Sequence, residues 1–280
     1  MGAHLKSAVL KQIFRFIQRR SGTTFGFKVQ SAAEFFRRAS HNASYDFATN
    51  GEMRALAVAV AGIADPVIFD VGAHNGGWSL SVLDIVPNAT LFAFEPAAET
   101  FSRLQRAASP FRQIRPFPIG LSDSTGAREL LFSRERGQKS STELHGAAAL
   151  NRQVVDYARE TADFMSGDEF CSSHEIQHID FLKVDTEGHD IKVLRGFERH
   201  LAEQRITAIQ FEYNRLNIFA RALLLDFYEL LGKAYEIGRI YPQGVCFKAY
   251  DVKDETFIDG NFLAVRKDVP DLLRRLAGGV

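Results

Sequence analysis

The sequence has 280 residues, 46% hydrophobic and 24% charged, with a formal net charge of zero at pH 7. This composition is typical of one large globular domain, or one domain with an extension, that buries a sizeable core. The zero net charge argues against nucleic acid as the main partner, because binding to phosphates requires an excess of basic residues.

Cysteine content and hydropathy narrow the cellular setting. Cys171 and Cys246 are too few for a disulfide framework and form no closely spaced pair for zinc. We therefore expect a reducing compartment and a cytoplasmic location. No apolar run reaches the ~18 residues that a transmembrane helix requires, and the N-terminus lacks the features of a secretory signal.

Basic charge is concentrated in the first 40 residues, which hold eight Lys or Arg and one acid, hence +7. Residues 4–19 place apolar side chains at helical spacing among basic ones. Such a helix either packs on a domain or lies on an anionic membrane surface, so peripheral membrane contact is one expectation. Helices are also predicted over Ala32–Ala39 and Glu52–Ala61. We assign residues 1–50 to a helical extension and 51–280 to the main domain.

The main domain alternates predicted strands and helices. The strands are Val67–Val71, Thr90–Phe94, Ile114–Leu121, Phe181–Asp185 and Ile206–Glu212. The helices between them are Trp78–Ile85, Ala97–Ala108 and His189–Leu201. This alternation predicts a parallel sheet with helices on both faces.

An insertion and a C-terminal hairpin complete the predicted order. Residues 122–179 are expected to hold a strand, Leu130–Phe132, and a helix near Asn151–Ala162. The last predicted elements are helix Arg221–Leu231, strand Tyr235–Ile240, a polar hairpin and strand Phe262–Val265. The order resembles the class I methyltransferase fold. We therefore predict an α/β, Rossmann-like fold with a mostly parallel seven-stranded sheet.

The turn after the first strand is rich in glycine and reads Asp70-Val71-Gly72-Ala73-His74-Asn75-Gly76-Gly77-Trp78-Ser79. A strand, a glycine turn and a helix together place backbone N–H groups against a bound nucleotide. The dinucleotide pattern GxGxxG requires glycine where His74 stands, which disfavours NAD. Asp70 suits a positively charged amino or sulfonium group, so S-adenosylmethionine is the better fit.

Two further strand ends carry acids. Glu95, followed by Pro96, lies 25 residues after Asp70. That offset is close to the ~20 residues expected between a glycine turn and an acid that accepts both ribose hydroxyls. Ser122 and Asp123 follow the third strand, and Asp123 is expected to face an adenine amino group.

The most specific stretch is Asp180-Phe181-Leu182-Lys183-Val184-Asp185-Thr186-Glu187-Gly188, followed by Leu194 and Gly196. With the glycine turn, Glu95-Pro96 and Leu121-Ser122-Asp123, it resembles the FkbM family of methyltransferases over roughly residues 51–266. His74 departs from the family, which often has asparagine there. The resemblance implies methyl transfer from S-adenosylmethionine, usually to an oxygen of a sugar or a polyketide-type product.

The resemblance also implies roles for individual residues. Asp70, Gly72 and Gly76 would line the methionine end of the cofactor, Glu95 would hold the ribose, and Ser122 with Asp123 would lie near adenine. The predicted cofactor set is completed by Ala73, His74, Asn75 and Pro96.

Acids and a histidine at the ends of two neighbouring strands are the candidate catalytic groups. An alcohol is a weak nucleophile at neutral pH, so a positioned base is expected to help. We expect Asp185 or His189 to take the proton and Glu212 to orient substrate hydroxyls. Asp185 and Glu212 are also an alternative pair of ligands for a divalent metal such as Mg²⁺. Lys183 is predicted to be a paired structural charge.

The leading hypothesis is therefore O-methylation of a sugar or glycoconjugate. Two alternatives stay open. One is methylation of a small secondary metabolite, at a polyketide-type hydroxyl or an amine, and the other is a binding module that holds the cofactor without catalysis.

Overall fold

The structure is a computed structural model and describes residues 2–133, 140–141 and 157–278. The chain forms two compact units, Met1–Ala43 and Ser44–Val280. The first unit contains helices α1 (Gly2–Gln18) and α2 (Thr24–Ser40). At the start of α2 the Thr23 hydroxyl accepts a hydrogen bond from the Gly26 N–H at 3.2 Å, which caps the helix.

The second unit has twelve strands among its described residues. They are β1 (Val67–Val71), β2 (Thr90–Phe94), β3 (Ile114–Phe117), β4 (Gly120–Ser122), β5 (Gly126–Ser133), β6 (Ser140–Ser141), β7 (Tyr157–Ser166), β8 (Ile179–Val184), β9 (Ile206–Tyr213), β10 (Tyr235–Tyr241), β11 (Gly244–Phe247) and β12 (Gly260–Arg266). Eight form the main sheet in the order β11-β10-β12-β9-β8-β1-β2-β3. Strands β11 and β12 run antiparallel to their neighbours, and the other six run parallel to one another.

Helices cover both faces of the main sheet. They are α3 (Glu52–Ala59), α4 (Gly77–Ile85), α5 (Ala98–Ala108), α6 (Gly167–Ser173), α7 (Asp190–Arg195), α8 (Glu198–Ala202), α9 (Asn217–Ala220), α10 (Leu224–Leu231) and α11 (Pro270–Ala277). Alternate residues of β1 belong to two separate hydrophobic clusters, Phe69 to one and Ile68 to the other, as expected for a strand buried on both faces. In the described part of the chain, no helix combines the length and apolar character needed to cross a membrane.

The predicted fold class is confirmed, with one strand more than expected. The additional strand is β11, which pairs with β10 from Gly238↔Phe247 to Tyr241↔Gly244 and buries Val245. It forms one arm of the hairpin that the sequence predicts as a polar segment.

Two predictions are wrong. One concerns the strand that leads into the insertion, and the other concerns the insertion itself. The predicted strand Ile114–Leu121 breaks after Phe117, at Pro118, which has no N–H to continue the ladder. The second piece joins a separate sheet, ordered β4-β7-β5-β6. Residues 151–156 of the predicted helix near Asn151–Ala162 lie outside the described residues. From Tyr157 onward the chain is strand β7. Its Ala162 and Phe164 are buried at a spacing of two, which is the strand period.

The predicted helix His189–Leu201 is two short helices, α7 and α8, separated at Gly196. A Cβ at Gly196 would lie 1.9 Å from the Ser122 carbonyl oxygen. The backbone therefore approaches β4 more closely than any other residue type allows, and this contact fixes the position where α7 ends.

Candidate functional site

Two adjoining cavities lie where β1, β2 and β8 end, at the edge of a parallel sheet where ligands of such folds bind. The first has a volume of about 230 Å³ and the second about 170 Å³. Gly72, His74 and Asp185 line both. We refer to them as the first cavity and the second cavity.

The glycine turn brings the ends of β1 and β8 together. Gly72 has φ +80°, and a Cβ there would lie 2.0 Å from the Asp185 carbonyl oxygen. Its N–H and that of Ala73 both donate to the Phe94 carbonyl, at 3.0 and 2.9 Å, which ties the turn to β2. His74 adopts φ +51° in the left-handed region, which Asn and His enter more readily than most residues. This conformation accounts for histidine at a position where the resembled family often has asparagine.

Glu95 presents a buried carboxylate to the first cavity from the end of β2. Its oxygens accept hydrogen bonds from the backbone N–H groups of His74 and Ala97, each at 3.0 Å. Burial raises its pKa to about 7, although the two N–H donors favour the charged form. Each oxygen keeps a further lone pair, so the group can still accept hydrogen bonds from ligand hydroxyls.

Asp70 is buried near the end of β1. The side chain is fully buried, with Oδ1 at 3.0 Å from Lys183 Nζ and Oδ2 accepting a 2.7 Å hydrogen bond from the Ser79 hydroxyl. A buried carboxylate requires partners, and Lys183 and Ser79 supply them. Asp70 is not among the residues that line either cavity. Lys183 is a paired charge, as predicted. Burial alone would lower the pKa of Lys183, but Asp70, Asp185 and Glu52 together raise it.

Ser122 and His189 are brought together, although they were assigned to different roles. The Ser122 hydroxyl lies 2.9 Å from His189 Nε2 and 3.1 Å from Asp123 Oδ1. His189 lines the first cavity, whereas Ser122 and Asp123 do not. Asp123 is exposed and pairs with Arg128 Nη2 at 2.9 Å. Its contact with adenine stays a prediction.

The loop after β8 is held in place by Asp190 at the start of α7. Its Oδ2 accepts from the N–H and hydroxyl of Thr186, at 3.2 and 2.8 Å, and its Oδ1 accepts from the Glu212 N–H at 3.1 Å. Burial, and then the charge of Asp185, raise the pKa of Asp190 to about 7. The Asp185 side chain is 42% exposed at the junction of the two cavities, with Oδ2 3.5 Å from Lys183 Nζ.

The second cavity is lined in part by charged and polar side chains. Glu212 faces it from β9, together with Glu52 from α3 and Asn261 from β12. Glu52 is buried and accepts hydrogen bonds from Asn261 Nδ2 at 2.8 Å and Gln210 Nε2 at 2.5 Å. The carboxylate is thus held by two strands of the sheet.

The predicted site residues divide between the two cavities. Gly72, His74, Glu95, Pro96, Asp185 and His189 line the first, and Gly72, Ala73, His74, Asn75, Asp185 and Glu212 line the second. Gly76, at φ +86°, lines neither and instead precedes α4 beside Leu104. In the residues that the structure covers, no group of three or more His, Cys, Asp or Glu is arranged to hold a metal ion.

Sequence reasoning missed several lining residues. Leu130 and Phe164 form an apolar wall of the first cavity. Both lie in the insertion, where the sequence predicts a strand at Leu130 and a helix that ends before Phe164. Glu52 and Asn261 line the second cavity from opposite ends of the domain. A polar residue at the start of an otherwise apolar helix or strand is the one signal that marks them.

Known proteins resemble this chain over the same region. A family model described as the methyltransferase FkbM domain matches residues 70–236. The 2-O-methyltransferase NoeI of Sinorhizobium fredii is 26% identical over 191 residues, which cover 65% of this chain and 76% of NoeI. The hexuronic acid methyltransferase AglP of Haloferax volcanii is 29% identical over 147 residues, covering 52% and 56% of the two chains. The chain thus spans less than two thirds of AglP. A solved precorrin-6y C5,15-methyltransferase from Geobacter metallireducens aligns over 80% of this chain and 93% of its own, with 13% identity and a TM-score of 0.42.

Proposed function

The chain belongs to the FkbM family of methyltransferases, and from that premise we propose that it transfers a methyl group from S-adenosylmethionine to a hydroxyl oxygen of a sugar or glycoconjugate. The observation that carries the proposal is the pair of adjoining cavities with Asp185 between them. Two of the relatives are named for methylation at a 2-oxygen and of a hexuronic acid, which supports a carbohydrate acceptor.

The first cavity fits the cofactor by the chemistry of its lining. Glu95 supplies a carboxylate for the ribose hydroxyls, and Leu121, Leu130 and Phe164 supply apolar surface for the adenine ring. The missing side chain of Gly72 lets the glycine turn approach the Asp185 backbone, which brings the ends of β1 and β8 together beside this cavity. When bound, S-adenosylmethionine supplies a methyl group on a positively charged sulfur. Asp70 supports this site indirectly, because it holds Lys183 and the first turn of α4.

Asp185 is the general base that removes the proton from the acceptor hydroxyl. It borders both cavities and is partly exposed, so an acceptor hydroxyl in the second cavity can reach it. His189 Nε2 is engaged with the Ser122 hydroxyl, and His189 lines the first cavity. We therefore assign proton removal to Asp185 and a positioning role to His189. Most of the rate enhancement is expected from alignment in a site that excludes water.

The test replaces Asp185 and His189 separately and measures methyl transfer in a single turnover. We expect Asp185→Asn to lower the rate by about 10²–10⁴-fold, the usual contribution of a general base. S-adenosylhomocysteine should still bind in calorimetry. Asp84→Asn, an exposed acid at the end of α4, is the matched control. Near-normal rates for both site variants would contradict the proposal.

Assays with Mg²⁺ and with a chelator address the alternative in which Asp185 and Glu212 hold a divalent ion. A rate that is unchanged by the chelator assigns both acids to the acceptor, and a rate that Mg²⁺ restores assigns them to the metal. Offering polyketide hydroxyls and amines beside sugars tests the acceptor class.

We also propose that the N-terminal unit contacts anionic membranes, where a lipid-linked acceptor would be located. Its helices expose large apolar side chains, among them Leu10, Phe14, Phe35 and Phe36, next to basic residues. The full chain should co-sediment with vesicles that contain anionic lipid and not with neutral ones. Replacing Phe14 and Phe35 with serine should reduce this binding, and equal binding to both vesicle types would contradict it.

A further inference from the structure

The first cavity lies between two sheets. Val71 and Glu95 line it from the ends of β1 and β2 in the main sheet. Leu121, Leu130 and Phe164 line it from β4, β5 and β7, which belong to the sheet ordered β4-β7-β5-β6, here called the second sheet. A ligand in this cavity contacts both sheets. Its affinity therefore depends on how firmly the second sheet is held in place before the ligand arrives.

One face of the second sheet carries the apolar wall of the cavity. Glu160, Ala162 and Phe164 occupy alternate positions on β7 and so share a face. Leu130 is the direct partner of Glu160 across β5 and β7 and lies on that face as well. Leu130, Ala162 and Phe164 form a small buried cluster with Ala97, the residue before α5. The face that lines the cavity thus packs beside the start of α5.

Glu160 connects this face to the first turn of α5 by a hydrogen bond. Its Oε1 accepts from the Ala98 N–H at 2.9 Å, across 62 residues of sequence. The preceding N–H, that of Ala97, donates to Glu95 Oε1 at 3.0 Å. The side chain of Ala97 has no acceptor with which to cap the helix, so a carboxylate from the second sheet satisfies a first-turn N–H instead. Two consecutive N–H groups therefore bind the acid of the cavity and the acid of the second sheet.

The wall lies between two polar attachments of the second sheet. At one end, the Ser122 hydroxyl on β4 lies 2.9 Å from His189 Nε2, and Ser122 pairs with Ser166 on β7. Glu160 is six residues from Ser166 along β7, which is about 20 Å in a strand. Phe164 lies between these two points. The attachment at Glu160 therefore determines how the far part of the wall is placed.

We propose that Glu160 is a positioning residue of the cofactor site, which holds β7 against the first turn of α5 and so places the apolar wall opposite Glu95. The inference rests on the proposed function, in which S-adenosylmethionine occupies the first cavity. Glu160 is not among the lining residues, so its effect on the cofactor passes through Leu130 and Phe164. A wall that is ordered before binding loses less conformational freedom when the ligand arrives, and this favours affinity.

The experiment measures binding of S-adenosylhomocysteine to the full-length protein by calorimetry. It is run at pH 8, above the pKa of about 7 that burial gives Glu95. Glu160→Ala removes the acceptor for the Ala98 N–H and should weaken binding about fivefold to tenfold. Glu160→Gln keeps an oxygen that can accept the same hydrogen bond, so its affinity should stay within about twofold of the unsubstituted protein.

The matched control is Glu129→Ala on β5 of the same sheet. Glu129 precedes Leu130 and so faces the other side of the sheet, where it pairs with Arg159 Nη1 at 3.3 Å. This substitution should leave the affinity for S-adenosylhomocysteine unchanged.

A double-mutant cycle tests whether Glu160 acts through the wall. In a protein that already carries Phe164→Leu, Glu160→Ala should weaken binding by no more than about twofold, because the aromatic contact that Glu160 positions has been removed. Independent action of the two residues would instead give losses that multiply.

Four results would overturn the inference. They are an unchanged affinity in Glu160→Ala, an equal loss in Glu160→Ala and Glu160→Gln, an equal loss in Glu129→Ala, and losses that multiply in the double variant. Absence of S-adenosylhomocysteine binding to the unsubstituted protein overturns the proposed function, whereas binding that does not depend on Glu160 overturns only this inference.

Discussion

Lys183 Nζ lies 3.0 Å from Asp70 Oδ1, and the two residues are direct Cα partners on the parallel strands β8 and β1. Both are buried, in the middle of a sheet that is apolar on either side. Removing one member of such a pair leaves an uncompensated charge in the interior. The pair thus joins the strand that carries the glycine turn to the strand that leads to Asp185.

Replacing Lys183 with methionine should destabilise the protein severely. We expect a loss of about 3–5 kcal/mol in the free energy of unfolding, because Asp70 is left without its counter-charge. Urea denaturation measures the loss. The double variant Asp70→Asn with Lys183→Met should recover part of it. Lys267→Met, at an exposed lysine 3.8 Å from Glu236, should cost less than about 0.5 kcal/mol. Similar losses at Lys183 and Lys267 would show that the buried pair has no special role.

A methyl group at Gly72 should disrupt the contact between the two strand ends. Gly72→Ala brings a Cβ to 2.0 Å from the Asp185 carbonyl oxygen, in addition to the strain of φ +80°. The control is Gly62→Ala, where φ is +86° and no atom lies within 4 Å of the new Cβ. Gly62→Ala should cost about 1 kcal/mol from backbone strain alone. Gly72→Ala should cost more and abolish binding of S-adenosylhomocysteine. Equal effects of the two substitutions would contradict a steric requirement at Gly72.

Binding of S-adenosylhomocysteine should depend on the ionisation of Glu95. Burial raises its pKa to about 7, and ribose hydroxyls donate hydrogen bonds that favour the charged form. Binding therefore lowers the pKa of Glu95 and releases protons near pH 6.5. Affinity should rise about tenfold from pH 6 to pH 8, as the free site loses its proton.

Calorimetry in two buffers with different ionisation enthalpies counts the protons released by Glu95. The variant Glu95→Gln should bind weakly, with an affinity that is independent of pH and without proton release. Proton uptake by the unsubstituted protein, or an affinity that does not change with pH, would contradict a ribose contact at this carboxyl.

Phe164 should contribute to cofactor affinity as a wall of the first cavity. Phe164→Leu removes an aromatic surface and should weaken S-adenosylhomocysteine binding about threefold to tenfold. Phe262→Leu is the matched control, since both phenylalanines are 5% exposed and Phe262 lies in the core away from either cavity. Each change should cost less than about 1.5 kcal/mol of stability. An equal loss of affinity in the two variants would contradict a contact between Phe164 and the cofactor, because it would show that any destabilised core weakens binding.

The sequence predicts well what is set by local patterns. Glu95 is found at the first cavity because an acid that ends a strand, at a fixed distance from a glycine turn, has one favoured place in a parallel sheet. The same reasoning does not identify the partner of Asp70, since nothing near it reveals that Lys183 lies opposite, 113 residues later. Glu52 and Asn261 are 209 residues apart and still bond to each other. Contacts of this kind depend on the order of strands in the finished sheet.

The insertion shows a second limit. Ala158, Ala162 and Phe164 belong to β7, which pairs with β5 along its length. Alanine, arginine and glutamate, which make up much of residues 158–162, have high helix propensity, but cross-strand pairing overrides that preference here. The missed strand carries Phe164, so an error in secondary structure became an error in the site.

The pairing of β1 with β8 also governs the order in which the protein can form during synthesis. Ribosomes add roughly 5–20 residues per second. Since Lys183 follows Asp70 by 113 residues, Asp70 is in the growing chain for roughly 6 to 23 seconds before its partner exists. Strand β2 can pair with β1 early, but the opposite edge of β1 stays open for that interval. The nascent chain therefore presents an unpaired, mostly apolar strand edge until the ribosome has synthesised the insertion and β8. This is the stage at which a chaperone would protect the chain from aggregation.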